Sequence, residues 1–180
     1  MNLASNWGAT ADEVARVYPC DAVIVPFDDA LYRGVSVRAS RSRLFRWLCQ
    51  LRSAPYSYDW IDNWGRQSPP HLTPGLDDLA VGQRVMSIFE LVSFERDVHL
   101  TLRIADAGAR QVFGDVAVTY GVYPDVSFTD ATRLVVKLTA RYPPSLLGQA
   151  MRWMLPWGDL VMMRRQLLNL QALAEGDAHV

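Results

Sequence analysis

Asp59 and Asp62 stand three residues apart, a spacing that puts two carboxylates on one face of a helical turn and suits an acid and base pair. The same two residues, with Asn63, are also the types that cap helices and form turns. A metal would need further oxygen or imidazole ligands that their neighbours do not supply, so no metal is expected. His71, His99 and His179 are too scattered to announce a triad. His71 follows Pro69-Pro70 and is the best placed of the three for proton transfer, although a solvated loop histidine reads the same way. His99 alternates against Leu100 and is expected on the outer face of its strand, and His179 lies in a terminal tail. The candidate acid-base groups are therefore Asp59, His71 and Tyr120.

Groups suited to binding are more numerous. Tyr56, Tyr58, Trp60 and Trp64 crowd one stretch, and amphipathic aromatics of this kind line pockets that need apolar walls with a few polar anchors. They serve equally well as a cover over a sheet edge. Glu90, Tyr120 and Arg33 sit among apolar strand residues, where a buried polar group requires a partner or a ligand. Tyr120 has the strongest case, because alternation turns it inward with Val118 and Val122; a core tyrosine bonded to a carbonyl would look identical. Arg33 can instead lay its stem over apolar surface and reach water. Trp153, Met154, Trp157, Met162 and Met163 give the C-terminal region adaptable contacts, or an ordinary core stripe. With Arg152, Arg164 and Arg165, the two tryptophans also suit transient docking on a membrane surface.

The chain as a whole excludes several classes. Its 180 residues fit one domain that buries roughly 70% of its unfolded surface. Half the residues are apolar, 21% are charged and the net charge is -1, so nucleic acid is not an expected partner. Cys20 and Cys49 are isolated, which fits two buried thiols in a reducing cytosol rather than a zinc site or disulfide framework. Met1 to Thr10 has no secretory pattern, and Leu146 to Leu170 is broken by Pro156 and four charges, so the chain reads as cytoplasmic with no transmembrane segment. Nucleotide, G-x-S-x-G hydrolase and H-E-x-x-H signatures are absent, and no cofactor is expected.

The elements that would position these groups follow from periodicity. Thr10 and Glu13 have capping-box spacing, which predicts a short helix over Ala11 to Val17 within an N-terminal arm of residues 1–30. Tyr32 to Val37 reads as a strand. Leu44, Trp47, Leu48 and Leu51 mark the buried face of a helix begun at Ser40 or Ser42, with Arg43, Arg46 and Gln50 left for solvent. The aromatic stretch Ser53 to Asp78 is too long for a simple connection. Val85 to Phe94, Val98 to Ile104, Val116 to Tyr123 and Arg133 to Tyr142 read as strands, with Asp106 to Gly108 and Tyr123 to Asp130 as hairpin connections. Leu100, Leu102, Ile104, Val116, Val118, Tyr120, Val122, Leu134, Val136 and Leu138 should face inward; Thr101, Arg103, Ala117, Thr119, Lys137 and Thr139 should form a wet outer face. A closing helix is predicted from Pro156 to Ala174, with Leu160, Met163, Leu167, Leu170 and Ala174 on its apolar stripe. The main domain then spans residues 31–175 and the tail 176–180.

This order of elements, with Trp7-Gly8-Ala9-Thr10, Tyr56-Ser57-Tyr58-Asp59-Trp60-Ile61-Asp62-Asn63, Leu79-Ala80-Val81-Gly82 and Met163-Arg164-Arg165-Gln166-Leu167-Leu168, resembles a bacterial branch of the SRPBCC, or START-like, helix-grip superfamily, which includes polyketide cyclases. The chain departs from that pattern where related sequences often carry glycines; here Arg52-Ser53-Ala54-Pro55 makes a shorter connection that would narrow a cavity mouth. The resemblance implies an α+β fold in which a curved antiparallel sheet grips a long C-terminal helix around a cavity for an apolar or aromatic small molecule or lipid. The expected walls are Val118, Tyr120, Val136, Leu160, Met163 and Leu167, joined by Glu90 and Trp157, with Tyr56, Tyr58, Trp60 and Trp64 near the entrance. A carrier or sensor is the leading reading. A cyclase-like enzyme working by positioning and one acid-base group, and an interaction module with a filled core, are the alternatives; the resemblance permits catalysis without requiring it.

Overall fold

Alternating apolar residues need a second layer to bury them, and the chain supplies that layer with helices from both ends of the sequence. The computed structural model describes residues 2–62, 65–126, 128 and 131–176. In chain order the elements are β1 (Asn6–Trp7), α1 (Ala11–Ala15), α2 (Cys20–Val23), β2 (Asp29–Val37), α3 (Arg41–Cys49), α4 (Asp59–Asp62), β3 (Arg84–Val85), β4 (Phe89–Glu95), β5 (His99–Ile104), α5 (Ala107–Phe113), β6 (Asp115–Pro124), β7 (Thr132–Arg141) and α6 (Leu146–Gly176). The sheet runs β1-β2-β7-β6-β5-β4-β3; β1 lies parallel to β2, and the other neighbours are antiparallel. It is an open α+β arrangement with α6 laid across the inner face.

The inward set agrees with the alternation: Leu100, Leu102, Ile104, Val116, Val118, Tyr120, Val122, Leu134, Val136 and Leu138 are all buried. So is the α6 stripe of Leu160, Met163, Leu167, Leu170 and Ala174. Ser40 caps α3 by accepting from the Arg43 N–H, and Leu44, Trp47 and Leu48 fill the core below.

Four expectations give way. The outer sheet face is not wet, because Thr101, Ala117, Thr119, Lys137 and Thr139 are buried beneath the arm. The Cys20 N–H donates to Thr119 Oγ1 at 3.0 Å, and Lys137 Nζ meets Asp21 at 2.6 Å among the rings of Tyr18, Phe27 and Tyr32. Single-strand periodicity cannot report such a distant cover. Gln50 is buried rather than solvated, holding Thr73 through both its backbone N–H and its carbonyl. Asp106 does not begin a simple hairpin; it caps α5 by accepting from the Ala109 N–H at 2.8 Å. Finally, α6 starts at Leu146 and runs through Pro156 instead of beginning there. A proline costs a helix one hydrogen bond and a steric clash, but Met151, on the turn before it, is buried by tertiary packing.

The arm is pinned locally as well. Thr10 and Glu13 form the reciprocal capping box over Ala11–Ala15, two residues shorter than predicted. Glu13 pairs with Arg133 at 2.7 Å, and that arginine also donates to the Gly8 carbonyl, tying the arm to β7.

Candidate functional site

Between the sheet and α6 the inner layer is not filled. A cavity of about 450 Å³ lies there, with apolar walls from β4, β5, β6, β7, α5 and α6, including Phe89, Ile104, Val118, Leu138 and Met163. Met154 lines it while remaining largely exposed, which marks the opening to solvent. Its polar wall comes from Tyr120 on β6, Asp159 and Gln166 on α6, and Ser57 from the connection after α3.

These groups are ordered by a chain of hydrogen bonds. Gln166 Nε2 donates to the Pro55 carbonyl at 2.6 Å, and Tyr120 donates its hydroxyl proton to Gln166 Oε1 at 2.7 Å. Burial, the Asp159 charge nearby and low polarity hold the Tyr120 phenol protonated, well above its ordinary range. Asn169 Nδ2 donates to the Tyr56 carbonyl at 2.9 Å, so α6 grips the short 53–57 connection at two points. Tyr56 itself takes a left-handed φ of 55°, which turns its ring away onto Trp47 in an edge contact while Pro55 and Ser57 stay at the cavity.

Asp159 is the most perturbed carboxyl. Its side chain is only 7% exposed and Arg33, on β2 and 1% exposed, meets Oδ2 at 2.7 Å. Burial pushes the carboxyl up to about 6, against the opposing pull of Arg33. Arg33 further donates to the carbonyls of Tyr32, Ala4 and Pro156 at 2.8, 2.7 and 3.2 Å. One guanidinium therefore joins the arm, the sheet and α6 beside the cavity.

No protein-family model matches the chain, and no curated protein sequence matches it. Solved structures do. Protein MLL2253 from Mesorhizobium loti superposes with a TM-score of 0.52 at 15% identity, over 84% of this chain and 99% of that one. This is a helix-grip fold. Two further likenesses are weaker: XoxI from Bacillus cereus (TM-score 0.49, 13% identity, 83% of this chain and 99% of that one) and the di-domain ARO/CYC StfQ from the steffimycin biosynthetic pathway (TM-score 0.48, 13% identity, 84% of this chain and 52% of that one).

Within the helix-grip frame the sequence-predicted residues separate. Val118, Tyr120 and Met163 line the cavity. Val136, Leu160 and Leu167 are buried but lie in packed layers rather than on its wall. Glu90 pairs across the sheet with Arg84 and Arg103, one residue out of phase with the cavity-lining Phe89, so alternation sends it to the opposite face. Tyr56 is a core residue against Trp47; Tyr58 lies 6.0 Å below the Arg165 guanidinium, and Trp60 is 76% exposed. None of these three is on the cavity wall. Trp157 instead borders a separate surface depression of about 510 Å³ with Trp153, Arg152 and Asp29. Trp64, Asn63 and His179 lie outside the described residues, as does the Asp62 side chain.

The acid-base candidates separate likewise. Asp59 accepts from the Ser68 N–H and hydroxyl at 2.8 and 2.6 Å, the work of a loop brace. His71 is exposed and His99 half-buried, and neither lines the cavity. Sequence reasoning missed Asp159 and Gln166. Their signal was present: Asp159, Met163, Gln166 and Leu170 recur at 4, 3 and 4 residues, one continuous helical face. Among the described residues no cluster of three or more metal-ligating side chains occurs, and no helix is long and apolar enough to cross a membrane.

Proposed function

We propose that this protein binds a small apolar or aromatic molecule between the sheet and α6, as a carrier or sensor. The observation that supports this is the unfilled, apolar cavity of about 450 Å³ with a few polar groups gathered on one wall. Its size lies within the range of small-molecule sites, and cores ordinarily leave no such void. The unfilled interior also argues against an interaction module with a solid core.

Native mass spectrometry of the purified protein beside its denatured mass tests the reading. A co-purified small molecule is expected, and Val118→Phe, which grows into the void, should expel it while the protein stays folded. A clean apo mass together with no uptake of any apolar probe would refute it.

A cyclase-like enzyme has one specific observation in its favour: a carboxyl raised to about 6 at the cavity wall, the range in which an acid-base group works near neutral pH. In that reading the proton-handling group is Asp159, with Tyr120 beside it, and not Asp59 or His71. Asp159→Asn should then abolish turnover of an identified substrate while retaining its binding.

A further inference from the structure

The polar wall can be read donor by donor and acceptor by acceptor. The Pro55 oxygen is a carbonyl and can only accept, so the Gln166 amide must turn its nitrogen toward it. The second Gln166 N–H direction is taken by Met86 Sδ at 3.3 Å. Gln166 Oε1 consequently faces Tyr120, and the single Tyr120 hydroxyl hydrogen is committed to it at 2.7 Å. What Tyr120 can still offer the cavity is a lone pair. Ionised Asp159 carries no hydrogen, so towards the cavity it lines it can only accept; Arg33 meets its Oδ2 as an ion pair at 2.7 Å. Arg33 engages the carboxylate and three backbone carbonyls through its terminal nitrogens, and its remaining Nε–H, buried without a hydrogen-bond partner, belongs to a residue that does not line the cavity. Ser57, the remaining hydroxyl on the wall, is itself engaged rather than free.

We infer that this wall recognises a hydrogen-bond donor, so that the ligand is an apolar ring body bearing a hydroxyl or N–H group rather than one ending in a carbonyl or carboxylate. The inference rests on the binding reading above and adds the ligand's polar chemistry to it. A carbonyl placed here would set oxygen against the Tyr120 and Asp159 oxygens without a hydrogen between them, in a site where unpaired polar groups are costly. Sites built to satisfy a ligand hydroxyl discriminate against analogues that lack it far more strongly than apolar pockets discriminate shape.

Three probes with one ring body separate the cases: 2-naphthol, which donates; 2-methoxynaphthalene, which does not; and 2-naphthaldehyde, which only accepts. Binding to the full chain is measured at pH 8, where Asp159 is ionised and the naphthol is neutral. Naphthol should bind at least about tenfold more tightly than either analogue, as expected for one hydrogen bond to a charged or buried acceptor. Tyr120→Phe should shrink that preference. Asp159→Asn should reverse it, because the new amide turns its oxygen to Arg33 and its NH2 to the cavity, favouring the aldehyde. A loss of packing alone would weaken all three probes together and could not produce reversal; Tyr120→Phe carries the test if the Asn variant does not fold. Equal affinity for naphthol and its ether, or preference for the aldehyde in the unaltered protein, overturns the inference while leaving the binding reading standing. Failure of all three probes to bind overturns both.

Discussion

Replacing Arg33 with Met should expose how much of the fold depends on one guanidinium. The residue is 1% exposed, pairs with Asp159 at 2.7 Å and donates to three carbonyls from the arm, β2 and α6. Methionine matches the stem but none of the donors, so the variant keeps a buried carboxylate with no counter-charge. Breaking a buried pair from one side costs about 3–5 kcal/mol. The pH dependence is the sharper signature. With Arg33 present, burial already raises Asp159 to about 6 from its ordinary 3.8; without the guanidinium it must rise further. The folded variant then holds a proton that the unfolded chain releases, so its stability falls by about 1.4 kcal/mol per pH unit across that interval. In the unaltered protein this loss is complete a little above pH 6, so its contribution is flat from about pH 7 to 8. Over the same interval Arg33→Met should lose up to ~1.4 kcal/mol more. Urea denaturation followed by tryptophan fluorescence at pH 5, 6, 7 and 8 measures both effects. The double variant Arg33→Met with Asp159→Leu should recover much of the stability and lose the excess slope, since two apolar groups replace the pair. An Arg33→Met protein within about 1 kcal/mol of the original at pH 8, or with the same pH slope, would refute the reasoning.

Three further variants address the cavity wall and two carboxylate–arginine pairs outside it. Tyr120→Phe removes the donor to Gln166 and leaves a buried amide oxygen unpaired, which should cost about 1–3 kcal/mol in thermal or urea unfolding; no change in stability would mean that the Gln166 bond is not made in solution. On acidification a different pair governs. Burial pushes Glu13 up, but Arg133 and the Thr10 hydrogen bonds outweigh it and hold the carboxyl below its ordinary value, while the Arg103 hydrogen bond holds Asp115 low. Both carboxylates contribute stability above their ordinary pKa values of 4.5 and 3.8, and that contribution disappears as pH falls through the lower folded values. Asp115→Asn and Glu13→Gln should therefore each flatten the acid limb of the stability curve, and an unchanged limb would count against these pairs.

The sheet was legible in the sequence because one face of each strand is committed to the core. A one-residue slip would have expelled Leu102, Val118 and Val136 together, so alternation alone recovers the orientation of β5, β6 and β7. What it cannot recover is whatever lies on the other face. Thr119 and Thr139 have the polarity of exposed strand residues, yet they are buried because Cys20 presents a backbone N–H to one and a carbonyl to the other. Their hydroxyls suit that role as well as they suit water. Gln50 deceived in the same way, being polar on a helix edge but needed by the Thr73 backbone.

The candidate site shows the same limit more sharply. Tyr120 could be found because an aromatic phenol among valines is compatible with burial by itself. Asp159 could not, because a carboxylate is ordinarily admitted to an interior only with a partner, and its partner Arg33 is far off in sequence, on β2. Read singly, each is an exposed charge: Arg33 can snorkel, and Asp159 merely interrupts an apolar helix. Read as a pair they become inward groups, and Arg33's position on the same strand face as the buried Val37 is then consistent with Asp159's position four residues before Met163. The aromatic loop attracted attention for the opposite reason. Its aromatics are conspicuous by type, but Asp59 and Ser68 brace the loop while Trp60 faces solvent, and among its described residues only Pro55 and Ser57 reach the cavity. In this fold the chemistry on the cavity wall is set by which polar groups acquire partners across layers, and composition within a single segment does not carry that information.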